Sequence, residues 1–214
     1  MPTDQEKFIA DLVKGHGKVN RLPAYWLLGA GFWFIFGGLI FGFMVMIQGG
    51  RPGLLKQLAA YPFTFMELLF GVAAGLLLMM HGFRQSIPDL KGRHLMNPGL
   101  LLFVGTLGSL VANETGAGGL SVYEGARPFC EFEVLLYGLI GLAPALWLLR
   151  KGYFEMTLPN MATVVLGISL TPALLMQQVC SYTTQHGLVF HYGPIGVLLL
   201  IALGIQAKNH ISGD

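Results

Sequence analysis

Two cysteines and two histidines are the side chains of this sequence best suited to chemistry. Cys130 and Cys180 are its only thiols, and His186 and His191 follow the second of them closely. Thiolate sulfur and imidazole nitrogen are the donors that zinc and softer ions select. Cys130, Cys180, His186 and His191 are therefore the candidate metal ligands, although their spacing matches no zinc signature. Two thiols brought together can instead form a disulfide in an oxidising compartment. The sequence contains no C-x-x-C, which argues against a thiol–disulfide exchange catalyst. A structural disulfide, a redox- or metal-sensing pair and two unrelated cysteines all fit the residues. The histidines fit equally as interfacial groups bonded to loop backbone.

Few other groups invite a reaction. Two intramembrane histidines at similar depth would be needed to hold a haem between them. His81 and His191 fall near opposite ends of their apolar segments, which rules out that pair and leaves a single-histidine site open. Glu67 lies about one turn inside its segment. A carboxylate there must reach water, be protonated or find a partner, so the expectation is a group snorkelling to water or a polar link to Thr64 or an outer loop. Glu131 and Glu133 read as interfacial. No G-x-x-x-x-G-K-[ST] phosphate loop is present.

The elements that must position these groups follow from composition. Of 214 residues, 54% are hydrophobic and 11% charged, with mean hydropathy +0.62. Soluble domains carry about 25% charged residues, so a soluble enzyme is excluded, as is a disordered chain. Two cysteines are too few for a disulfide scaffold, and a net charge of +2 makes no case for direct nucleic-acid binding. The expected fold class is all-α: a polytopic membrane protein with a small extramembrane share. Six apolar segments are expected to span, at about 24–47, 63–83, 95–113, 132–149, 159–178 and 188–206. They would make three antiparallel hairpins. The first segment is too long for a signal-peptide core and is preceded by Asp4, Glu6 and Asp11, so it is expected to stay as a span.

Charge orients the segments. Lys7, Lys14, Lys18, Arg21, Arg84, Lys91, Arg93, Arg150, Lys151 and Lys208 fall on one side, ten of the 13 basic residues. Arg51, Lys56 and Arg127 fall on the other. The positive-inside bias puts both termini in the cytoplasm and both cysteines on the outer side. Pro23, Pro98 and Pro159 stand at inner helix starts and Pro62 and Pro128 at outer ones, where a missing N–H costs little. Pro144, Pro172 and Pro194 are expected to kink spans four, five and six. The pairs Gly38/Gly42, Gly71/Gly75 and Gly105/Ser109 are expected to let helices approach. Pro62-Phe63 before Glu67 is echoed by Pro128-Phe129 before Glu133, too short a match to establish a repeat.

Three regions result: a cytoplasmic segment 1–23, a bundle 24–206 and a cytoplasmic tail 207–214. In the first, Thr3 and Glu6 form a capping box and Gly15 ends a short helix. Phe8, Ile9, Leu12 and Val13 make its apolar stripe. A helix this short is marginal alone, so the stripe must be covered by the bundle, by the bilayer surface or by a cytoplasmic protein partner.

The order of features resembles the NrsF family of bacterial membrane anti-sigma factors over nearly the whole chain. The resemblance is carried by Thr3, Asp4, Ile9 and Leu12, then Arg21-Leu22-Pro23, Pro62-Phe63, Glu67-Leu68-Leu69 and Pro88. It continues through Pro128-Phe129-Cys130, Leu148-Leu149-Arg150-Lys151-Gly152, Cys180, His186 and His191-Tyr192-Gly193-Pro194. It implies a non-enzymatic regulator of transcription and stress response in the bacterial inner membrane. Residues 3–15 would sequester an extracytoplasmic-function sigma factor, and a periplasmic or membrane stress signal perceived through Cys130 and Cys180 would release it. The family implies no cofactor; the partners would be the sigma factor and the lipid bilayer, with a soft metal ion as one form of signal. The alternative is a small membrane redox or transporter-like protein using the outer cysteines.

Overall fold

The structure, a computed structural model, describes residues 25–48, 62–85, 95–115, 129–151, 157–180 and 187–212. The described residues are helical nearly throughout. The elements are α1 (Tyr25–Gln48), α2 (Pro62–Gln85), α3 (Met96–Thr115), α4 (Cys130–Lys151), α5 (Leu158–Val179), a π-helical turn (Gly187–Tyr192) and α6 (Gly193–Ser212). Five stretches are long and apolar enough to cross a bilayer: Leu27–Met46, Pro62–Gln85, Cys130–Leu149, Leu158–Gln178 and Gly187–Gln206. The third, Met96–Ala112, is shorter. At 1.5 Å per residue it reaches about 25 Å, the lower limit for a span.

Contacts fix the helix directions. Gly29 meets Phe83 and Gly75 meets Trp33, so α1 and α2 run antiparallel. Gly99 meets Leu78 and Gly105 meets Phe70, so α3 runs back along α2. Gly71 faces Leu174 and Gly82 faces Val164, which sets α5 antiparallel to α2. Gly138 lies between Ser169 and Leu198 and joins α4, α5 and α6. Successive helices therefore alternate in direction. The starts of α2 and α4 and the π-helical turn lie at one end, with the finish of α5.

Helix α5 is the axis. It touches α1, α2, α4 and α6, and 72% of its apolar window is buried, against 28–39% for the other four long stretches. Its Thr163, Ser169 and Thr171 are buried too, as polar side chains are on a helix that other helices surround. Met161, Val164, Val165, Ile168, Leu170 and Met176 supply its share of the core. The close crossing is at Gly167. A Cβ there would stand 3.0 Å from both the Gly75 carbonyl oxygen and the Met79 nitrogen, so α5 meets the backbone of α2 directly. The Trp33 indole N–H donates to the Gly167 carbonyl at 3.1 Å and ties α1 to the same point. The outer faces carry Phe34, Ile35, Met46, Leu101, Trp147 and Leu200, all exposed. Such a continuous apolar exterior is unsuited to water and suited to lipid.

Two expectations change. Among the described residues, nothing from a neighbouring helix stands within 4 Å of where a Cβ at Gly38 or Gly42 would be. Gly38 instead lines a cavity of about 270 Å³ with Trp33, Gly37, Thr171 and Leu174. Pro144 and Pro172 lie inside α4 and α5. Pro194 lies inside the last apolar stretch, just past the junction where the π-helical turn runs into α6. Finally, α3 lies chiefly on α2 and makes no extended contact with α4 among the described residues.

Candidate sensor site

Cys130 is the first residue of α4, and its backbone setting is unusual. Phe129 before it has φ +97°, a left-handed conformation that an aromatic residue rarely adopts. The Phe129 carbonyl still accepts from the Glu133 N–H at 3.1 Å, so the helix begins firmly at this bend. Phe129 is exposed, and Cys130 turns inward to complete burial. Cys180 closes α5 in the mirror sense. Its φ/ψ of −95°/133° leave the helix, while its N–H donates to the Met176 carbonyl at 2.8 Å. Cys130 thus lies within the first hydrogen-bonded turn of α4, and Cys180 is held by the last hydrogen bond of α5.

The two sulfurs are 3.4 Å apart, both buried. That is a contact and not a bond, since a disulfide would be about 2.05 Å long. His191, in the π-helical turn, joins them: one ring nitrogen and the two sulfurs lie within 4.8 Å of one another. Nδ1 of His191 is 2.6 Å from Oε1 of Gln177 on α5. Gly187 permits that arrangement, since a Cβ there would stand 2.8 Å from the same oxygen. Three elements thus supply the cluster: the start of α4, the end of α5 and the π-helical turn.

A second polar link sits beside it in the chain. The Tyr192 hydroxyl donates to Glu67 Oε1 at 2.8 Å, and both side chains are buried. Glu67 therefore does not snorkel to water. Its partner is Tyr192, on an element that the sequence did not connect to it. Phenol to carboxyl is a satisfied buried contact, which apolar surroundings require. Tyr192 follows His191 directly, so the π-helical turn bonds α5 with one residue and α2 with the next.

The sequence-predicted residues divide clearly. Cys130, Cys180 and His191 are brought together. His186 lies outside the described residues, as do Phe8, Ile9, Leu12 and Val13 of the tail. His81 is buried near the far end of α2. It stands about 20 Å along the helix axis from Glu67, and so from the Tyr192 end. Glu131 and Glu133 are half-buried, unlike Glu67, so the echo between the two hairpin starts does not extend to environment. Gln177 and Tyr192 were missed as site residues. A carboxamide at the end of an apolar run was the available signal for Gln177; Tyr192 had none beyond its place next to His191. No protein-family model, curated protein or solved structure matches this chain.

Proposed function

We propose that this chain is a membrane-embedded anti-sigma factor with Cys130 and Cys180 as its signal-perceiving pair. The observation that carries the sensing half is the buried 3.4 Å sulfur–sulfur contact across the α4 start and the α5 end. The sigma-binding half rests on the motif order resembling the NrsF family and on the stripe of Phe8, Ile9, Leu12 and Val13. In this reading the six helices are six passes through a bacterial inner membrane, alternating in direction. The alternating helix directions and the concentration of basic residues on one side support cytoplasmic termini and a periplasmic cysteine end.

The mechanism needs a signal that favours one bundle arrangement over another, since equal affinity for both shifts nothing. Oxidation or metal binding at Cys130 and Cys180 changes the distance between the α4 start and the α5 end. The two helices are joined at their opposite ends through residues 152–156, the cytoplasmic side in this topology. A tilt imposed at the cysteines therefore moves the inner connection. Tyr192, bonded to Glu67, carries the same displacement to α2.

The test is co-purification of the full-length protein from membranes with the extracytoplasmic-function sigma factors of its own genome. One sigma factor is expected to be retained. Leu12→Asp places a charge in the proposed contact, where losing a large apolar anchor costs about 2 kcal/mol or more, and is expected to release it at normal membrane levels of the protein. Retention unchanged in Leu12→Asp moves the binding surface away from the tail. Retention of no sigma factor sinks the anti-sigma reading.

A further inference from the structure

The thiol pair has a third donor and a group that positions it. We infer that Cys130, Cys180 and His191 form an S₂N site for a thiophilic divalent cation of the zinc and cadmium class. The inference names the ligand of the sensor site proposed above, and its chemistry stands without any sigma factor.

Geometry comes first. Donors bound to one zinc ion lie at about 2.3 Å for sulfur and 2.0–2.1 Å for nitrogen, which sets them about 3.5–4.0 Å from one another. Here the sulfurs are 3.4 Å apart and all three donors fall within 4.8 Å. Opening the sulfur pair slightly and drawing in the imidazole reaches bonding geometry with no helix leaving its place. The donors stand on three separate elements, each bonded to its neighbours, so the site exists before the ion arrives.

Gln177 sets the imidazole. A carboxamide oxygen only accepts, so its 2.6 Å contact holds the proton on Nδ1 and leaves the lone pair on Nε2. Metal-bound histidines are commonly oriented by such an acceptor on the other nitrogen. Gly187, where any side chain would crowd that oxygen, completes the fit. A buried cysteine pair serving only to fill space requires none of this.

Charge then selects the ion. Cys130, Cys180 and His191 are 0%, 3% and 1% exposed. On binding, two S–H bonds break and two protons leave for solvent. Two sulfur–metal bonds and one nitrogen–metal bond form, and no oxidation state changes. Two thiolates, a neutral imidazole and a divalent cation sum to zero net charge, the sum least costly to bury. Hard cations such as magnesium and calcium prefer oxygen ligands and are refused.

The experiment titrates the reduced, chelator-washed full-length protein in detergent with cadmium, followed by thiolate-to-cadmium charge-transfer absorption. X-ray absorption at the cadmium edge then identifies the donors. One cadmium per chain is expected, with two sulfurs and at least one nitrogen bound, and zinc should compete for the same site. Cys130→Ser and Cys180→Ser should each abolish the band. Gln177→Leu should weaken binding by about 10–100-fold, the usual effect of losing a group that orients a ligand. A wild-type protein that takes no cadmium, or binds it through sulfur alone, overturns the assignment without recourse to any variant. So does His191→Ala with unchanged affinity. The two proposals separate cleanly: a chain that binds cadmium but no sigma factor keeps the metal site and loses the anti-sigma function, and the converse result does the reverse.

Discussion

At the scale of single residues, the Tyr192–Glu67 contact offers the clearest energetic test. Tyr192→Phe keeps the ring and removes the donor, leaving the buried Glu67 carboxyl without this partner. A buried polar group robbed of its partner costs about 1–3 kcal/mol. Tyr192→Phe is expected to lower the thermal midpoint in detergent, whereas Glu67→Gln, whose carboxamide oxygen still accepts, should lower it less. Equal melting for wild type and Tyr192→Phe would show that the contact contributes nothing. This bond also shows where sequence reading stops. The depth of Glu67 announced that it needed an answer, but the answer lies 125 positions away in the chain. Side chains meet by packing, and spacing along the sequence carries no trace of that. Cys130 and Cys180 were easier, because topology alone assigns both to the same end. Their actual contact, and the third donor, required the structure.

At the scale of helices, glycine spacing by itself misleads. Gly71 and Gly75 do face other helices, whereas Gly38 and Gly42 have the same spacing and meet open space. The difference is which face of the helix a neighbour covers, a property of the bundle and not of either pair. Gly167 was not singled out in the sequence, yet it stands where α5 crosses the α2 backbone closely. Gly167→Ala would force a methyl group against the α2 backbone at 3.0 Å. Overpacking of this kind costs about 1–3 kcal/mol. The variant is expected to melt earlier in detergent, and Gly38→Ala to melt as wild type does. The reverse order would contradict the placement of α5 on α2. Helix ends were legible to within about two residues for most segments, because proline marks the starts of α2, α3 and α5 by a local rule. The π-helical turn was not legible. It answers to His191 and Tyr192 reaching two different helices.

At the scale of the whole molecule, composition carried the class and packing carried the arrangement. A chain so poor in charge has to be covered by lipid, and the exposed Phe34, Leu101 and Leu200 are where that cover belongs. The surrounded α5 is the least apolar of the five long stretches, at 1.6, the reverse of what a rule of apolar residues inside would suggest. Its buried Asn160, Thr163, Ser169, Gln177 and Gln178 explain why: polar side chains are carried where other helices, not lipid, surround them. The orientation predicts that reporter fusions at residues 120 and 184 read periplasmic and one at residue 90 cytoplasmic. A cytoplasmic signal at 120 would invert the molecule and put the cysteine end inside.

In the proposed mechanism a thiol site at one end of the bundle acts on a protein partner at the other. The measurement that tests it most directly is release of the co-purified sigma factor from membranes treated with cadmium or a thiol oxidant. Wild type should hold the sigma factor when reduced and lose it on treatment, while Cys130→Ser and Cys180→Ser should hold it throughout and behave alike, because each removes the same site. Release from both cysteine variants at the wild-type level would contradict the account, and the pair would then be structural.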